Sequence, residues 1–98
     1  MLRVAARDPV PAVRVQALHS LGELKDREGV AAIVTGLADK VPAVRHAALL
    51  ASGKLGDLST LPPVLRCMRD VDEKVQGAAA ATLHQLQGEG ALEVFISD

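Results

Sequence analysis

Three histidines, one cysteine and two aspartate–arginine pairs are the residues of this chain whose types and spacing could do chemistry. The histidines are His19, His46 and His84, followed by Ser20, Ala47 and Gln85, so none stands beside a carboxylate. A shared metal needs ligand atoms about 2 Å from one ion. These histidines fall at different heights on separate helices, whose axes would lie about 8–10 Å apart, and no metal is expected. A nucleophilic Cys67 would need a stabilised thiolate and a base. It aligns instead with Gly36, a small position at a helix contact. GEGA at Gly88 is a turn and not a phosphate loop. No catalytic residue and no cofactor is expected. Asp8–Arg14 and Asp39–Arg45 share one spacing of six residues, and their role follows from the elements that carry them.

Those elements come in copies. DPVPAVRVQALHSLGELKD starts at Asp8, and DKVPAVRHAALLASGKLGD starts thirty-one residues later at Asp39. A looser third copy starts at Asp70. Matching columns are Val13, Val44 and Val75; Arg14, Arg45 and Gln76; Ala17, Ala48 and Ala79; Leu24, Leu55 and Leu86. Gly22 and Gly53 match, but the third copy has His84. A period in this range marks a solenoid, whose units bury their apolar faces only by stacking.

Each period holds a long and a short helix. Val13, Ala17, Leu21 and Leu24 fall on one helical face, as do Val44, Ala48 and Leu55, then Val75, Ala79, Leu83 and Leu86. Pro11 and Pro42 suit a first helical position, where a missing N–H costs nothing. Asp72 is placed to cap the third long helix. In the first two copies Val10 and Val41 cannot cap, so Asp8 and Asp39 are expected to serve the free amides. The short helices show Val30, Ile33, Val34 and Leu37, then Leu61, Val64, Leu65 and Met68, then a partial set of Leu92, Phe95 and Ile96. Asp26 and Asp57 precede the first two at cap-like sites. Pro62 and Pro63 are expected to delay the start of the second. The repeats then span about 1–26, 27–57 and 58–88 in one domain over 1–98, with a partial helix at 90–98. Leu2 and Ala6 align with Ile33 and Leu37, so the chain opens inside a short helix and reads as a piece of a longer array.

Hydrophobic residues make up 49% of the 98 residues, and Phe95 is the one aromatic residue, with no Trp or Tyr. Ala and Leu dominate, which favours helix. The net charge of −1, without a basic stripe or stacking aromatics, argues against nucleic acid. No apolar run is long enough to span a bilayer. A single cysteine and no secretory h-region point to the cytoplasm.

The pattern D-x-VPAVR-x-x-AL-x-x-x-G-x-L-x-D resembles the HEAT repeat, in the short form of phycobilisome-lyase-like HEAT proteins. The resemblance implies an all-α, right-handed α-solenoid of about three helix hairpins. It also implies a structural ladder in which the turn aspartate and the arginine six residues on bond along the stack, here Asp8, Arg14, Asp39, Arg45 and Asp70. The ladder weakens at Gln76. HEAT-like enzymes that hold two irons use His-Glu pairs, which this chain lacks. The family's second helix usually lines the concave side. At 100° per step the stripe opposite the core face holds Val15, His19 and Gly22, then His46, Leu50 and Gly53, then Gly77, Ala81 and His84, flanked by Glu23, Lys54 and Gln85. The binding candidates are therefore Val15, His19, Glu23, His46, Leu50, Lys54, Ala81, His84 and Gln85. The expected function is a non-catalytic scaffold for another protein or peptide. The alternative is a phycobilin-lyase-like or other enzyme-associated HEAT domain. Exposed Leu2, Val4, Phe95 and Ile96 would let copies associate end to end.

Overall fold

The structure, a computed structural model, describes the backbone of residues 5–97 and the side chains of residues 5–87. The long helices are α1 (Pro11–Leu24), α3 (Pro42–Leu55) and α5 (Glu73–Ser97); the short ones are α2 (Val30–Leu37) and α4 (Leu61–Cys67). Single 3-10 turns, Arg27–Gly29 and Leu58–Thr60, lead into α2 and α4. Among the described residues there is no strand, and no helix is long and apolar enough to cross a membrane. The long helices pack side by side as one layer, with α3 central, touching α1, α5 and α2; α2 and α4 form the second layer. Leu18, Leu21, Ile33, Val44, Leu49, Val64 and Val75 are fully buried between the layers. The main interfaces join one repeat to the next, α1 to α3 and α3 to α5, so burial is the sum of successive interfaces.

The helix ends explain the punctuation of the sequence. Pro11 and Pro42 open α1 and α3 behind extended Val10 and Val41, whose side chains cap nothing. The Asp8 and Asp39 carboxylates instead accept the N–H of Val10 and Val41, both at 2.9 Å. They therefore fix the turn ahead of the helix rather than the helix amides themselves. Asp72 accepts from Lys74 N at 2.8 Å and Val75 N at 3.2 Å, as a helix cap does. Asp26 and Asp57 accept from Glu28 N and Ser59 N, and so start the 3-10 turns. Both long helices then reverse through a left-handed residue, Lys25 at φ 51° and Gly56 at φ 73°.

Several expectations need correction. Pro62 and Pro63 do not delay α4, which starts at Leu61, in register with Val30 of α2. Both prolines lie in the first turn, where no N–H has a partner inside the helix. Val13 is 38% and Leu24 68% exposed, although their copies Val44 and Leu55 are buried. The copies lie on α3, which packs against α1, α2 and α5, whereas α1 has fewer neighbours among the described residues. Leu65 and Met68, expected on a core face, are 47% and 40% exposed. The α5 backbone is continuous from Glu73 to Ser97, across the turn expected at Gly88. The side chains of Leu92, Phe95 and Ile96, and all of Leu2 and Val4, lie outside the described residues.

Candidate binding face and the inter-repeat ladder

The six-residue spacing of Asp8 and Arg14 positions a backbone contact, and the carboxylate partner lies further along the chain. Arg14 Nη1 donates to the Asp8 carbonyl at 2.8 Å and to the Pro9 carbonyl at 3.1 Å. Its Nε and Nη2 donate to Asp39 Oδ2 at 2.8 Å and Oδ1 at 3.1 Å. Arg45 repeats this with the Asp39 carbonyl at 2.7 Å and with Asp70 Oδ2 and Oδ1 at 2.7 and 2.9 Å. Gln76 donates to the Asp70 carbonyl. Each ion pair thus joins an arginine to the aspartate 25 residues on, in the next repeat. Each inner aspartate is a joint: its carboxylate takes the previous arginine, and its carbonyl takes the following side chain. The paired side chains are only 10–13% exposed, and planar two-point contact of this kind is the strong form of an ion pair. Hydrogen bonds from Arg45 hold the Asp70 carboxyl below its ordinary value, and the same bonds raise Arg45.

The nine binding candidates do not form one continuous stripe. Val15 and His19 of α1 and His46 of α3, all half-buried, line a groove of about 420 Å³. Its remaining walls come from the N-terminal ends of α3 and α5: Pro42, Ala43 and Ala47, then Asp72, Lys74 and Val75. These six are absent from the sequence-based set. Helical periodicity ranks faces of one helix and carries no information about where the starts of two helices meet the side of a third. Asp72 is occupied as the α5 cap, so the floor is largely apolar and polar groups stand at its edge.

Further along the helices the face is closed. Lys54 of α3 forms an ion pair with Glu23 of α1, exposed at both ends, which lowers the Glu23 carboxyl through the Lys54 hydrogen bond. Leu50 is 37% exposed beside it. Gly22 and Gly53, expected to face outward, are buried. A Cβ on Gly22 would lie 2.8 Å from Ala51 Cα, so α1 and α3 need glycine there to approach. Gln85 covers Gly53. Ala81, His84 and Gln85 are exposed on α5, away from the groove.

Among the described residues no group of three or more His, Cys, Asp or Glu could hold a metal ion. Cys67 is buried, with Sγ 3.5 Å from the Leu37 carbonyl oxygen, and burial pushes its thiol up. That is the opposite of what an activated nucleophile needs.

Tandem helix pairs in two layers, joined by an inter-repeat ladder, define an α-helical repeat protein. Residues 1–84 match the family model of HEAT repeats, and the chain belongs to the HEAT-repeat family. HEAT repeats commonly serve as protein-interaction scaffolds. No match was found among curated proteins.

Proposed function

We propose that this chain is a non-catalytic scaffold segment that holds another protein or peptide against the face of its long helices. The observation that carries this reading is the groove where Val15, His19 and His46 meet the first turns of α3 and α5. Its apolar floor suits an aliphatic side chain of a partner, and the histidines and Lys74 at its edge offer hydrogen bonds to that partner's backbone or polar groups. The buried, unactivated Cys67 supports a binding role over a catalytic one. We place the protein in the cytoplasm, where one unpaired cysteine is at home.

Selection of binders from a displayed random-peptide library, followed by calorimetric titration, tests the reading. Val15→Glu should weaken the selected peptides by about tenfold or more, a loss of about 1.4 kcal/mol, with the helical circular dichroism retained. Ala81→Glu, outside the groove, should leave binding intact. Peptides that bind Val15→Glu as well as the parent would overturn the groove as the site.

A further inference from the structure

A second opening involves none of the long helices. A space of about 630 Å³ lies between α2 and α4. Val34, Leu37, Pro63 and Cys67 give it apolar walls, and Asp39, Asp70 and Arg66 stand around them. Both aspartates are already committed: Arg14 holds Asp39 and Arg45 holds Asp70, each through two hydrogen bonds. Arg66 is exposed, and its side chain makes no hydrogen bond or ion pair among the described residues. Its charge is felt inside the space: burial pushes the Cys67 thiol up, and Arg66 is one of two arginines that draw it back down. Arg66 also lines a depression of about 430 Å³ with Leu65, Met68 and Arg69. Arg69 is likewise exposed and unpaired among the described residues.

The repeat columns set these two arginines apart from the ladder. Arg14 and Arg45 share a column because stacking uses both of them. Arg66 and Arg69 fall thirty-one residues after Thr35 and Ala38, which carry no charge, so the repeat does not require them. α2 has no charged residue at all. Two unneutralised cations therefore stand among apolar side chains, in a chain whose net charge is −1. We propose that this short-helix face binds an acidic peptide segment of a partner protein, with an aliphatic side chain in the space between α2 and α4 and a neighbouring carboxylate on Arg66. A guanidinium fork meets a carboxylate in two parallel hydrogen bonds. A second aliphatic side chain of the segment lies against Leu65 and Met68, in the other depression that Arg66 borders, and a further carboxylate meets Arg69. Two cations are too few for the many phosphate contacts that hold nucleic acid. The site shares no residue with the long-helix groove and is independent of it.

Titration of the capped peptide LDELDEL and its neutral isostere LNQLNQL into the unmodified protein, up to millimolar concentration, tests this. The methyl resonances of Val34, Leu37, Leu65 and Met68 report the contact. LDELDEL should shift them and bind about tenfold or more tighter than LNQLNQL, the worth of one good hydrogen-bonded charge. Arg66→Gln should abolish that preference. Because Arg66 is exposed and unpaired, the change should leave the helical circular dichroism intact. Equal binding of the two peptides, an undiminished preference in Arg66→Gln, or no shift at these methyls would overturn the proposal. Shifts confined to Val15 and Val75 would also overturn it, because acidic peptides would then belong to the long-helix groove. Phosphatidylserine vesicles that bind through Arg66 while LDELDEL does not would overturn it in favour of a lipid surface.

Discussion

Arg45→Met isolates the central rung of the ladder, because it keeps an unbranched stem and removes the fork. Three hydrogen bonds disappear: two to the Asp70 carboxylate at 2.7 and 2.9 Å and one to the Asp39 carbonyl at 2.7 Å. Asp70 keeps only the Asp72 N–H at 2.9 Å, so a carboxylate about 10% exposed loses its countercharge. Breaking a buried pair costs about 3–5 kcal/mol; the remaining solvent contact places this one near the lower end, about 3 kcal/mol. For a domain of this size that is a fall in Tm of about 12–24 °C. Urea unfolding followed at 222 nm measures it, since no Trp or Tyr provides a fluorescence signal. Asp70→Asn alone and the double variant complete a cycle, in which a strongly non-additive result is expected. Because the pair is shielded, most of the loss should persist in high salt. A loss below about 1 kcal/mol, typical of a surface pair, or simple additivity in the cycle would refute the ladder as a structural joint.

Acid titration should expose the same joint from the other side. The Asp70 carboxyl is held below 3.8 in the folded protein, so its contribution is complete above that ordinary value and fades as pH falls through the lowered one. Unfolding free energy of the parent should therefore drop in that acid window, and Asp70→Asn should remove this part of the drop; identical profiles would refute it. Leu55→Ala, at a 5% exposed site, should cost about 2–5 kcal/mol, whereas Leu24→Ala, at the same column but 68% exposed, should cost well under half as much. Equal losses in thermal melts would contradict the assigned interfaces. Ser52 Oγ is buried with no hydrogen-bond partner among the described residues, so Ser52→Ala should stabilise the protein by about 1 kcal/mol; destabilisation would mean that the hydroxyl has a partner.

The division of labour between sequence and structure shows at particular residues. The thirty-one-residue period, the alternation of long and short helices and the helical faces around Val44, Ala48 and Leu55 follow from spacing alone, because a helix is a local object with a fixed period. The prolines at Pro11 and Pro42 likewise mark helix starts by covalent geometry. Burial is different. Val13 and Val44 are the same residue in the same column, yet one is exposed and the other fully buried, because burial depends on the neighbour that covers the column. The ladder shows the same limit. A spacing of six residues is visible in the chain, but the partner of Arg14 is Asp39 and that of Arg45 is Asp70, a pairing created only when one repeat lies against the next. Gly22 reads as a gap in an outward stripe until α3 is placed beside it, where it becomes a point of close approach to Ala51. The groove is the furthest from the sequence: Val15, His19 and His46 can be nominated by their angle on a helix, but Pro42, Ala43 and Lys74 join them only where the starts of α3 and α5 meet the side of α1 in space. Local periodicity therefore determined the repeat and its helices, whereas the packing of repeat on repeat decided which faces are buried, which charges pair and where an opening remains.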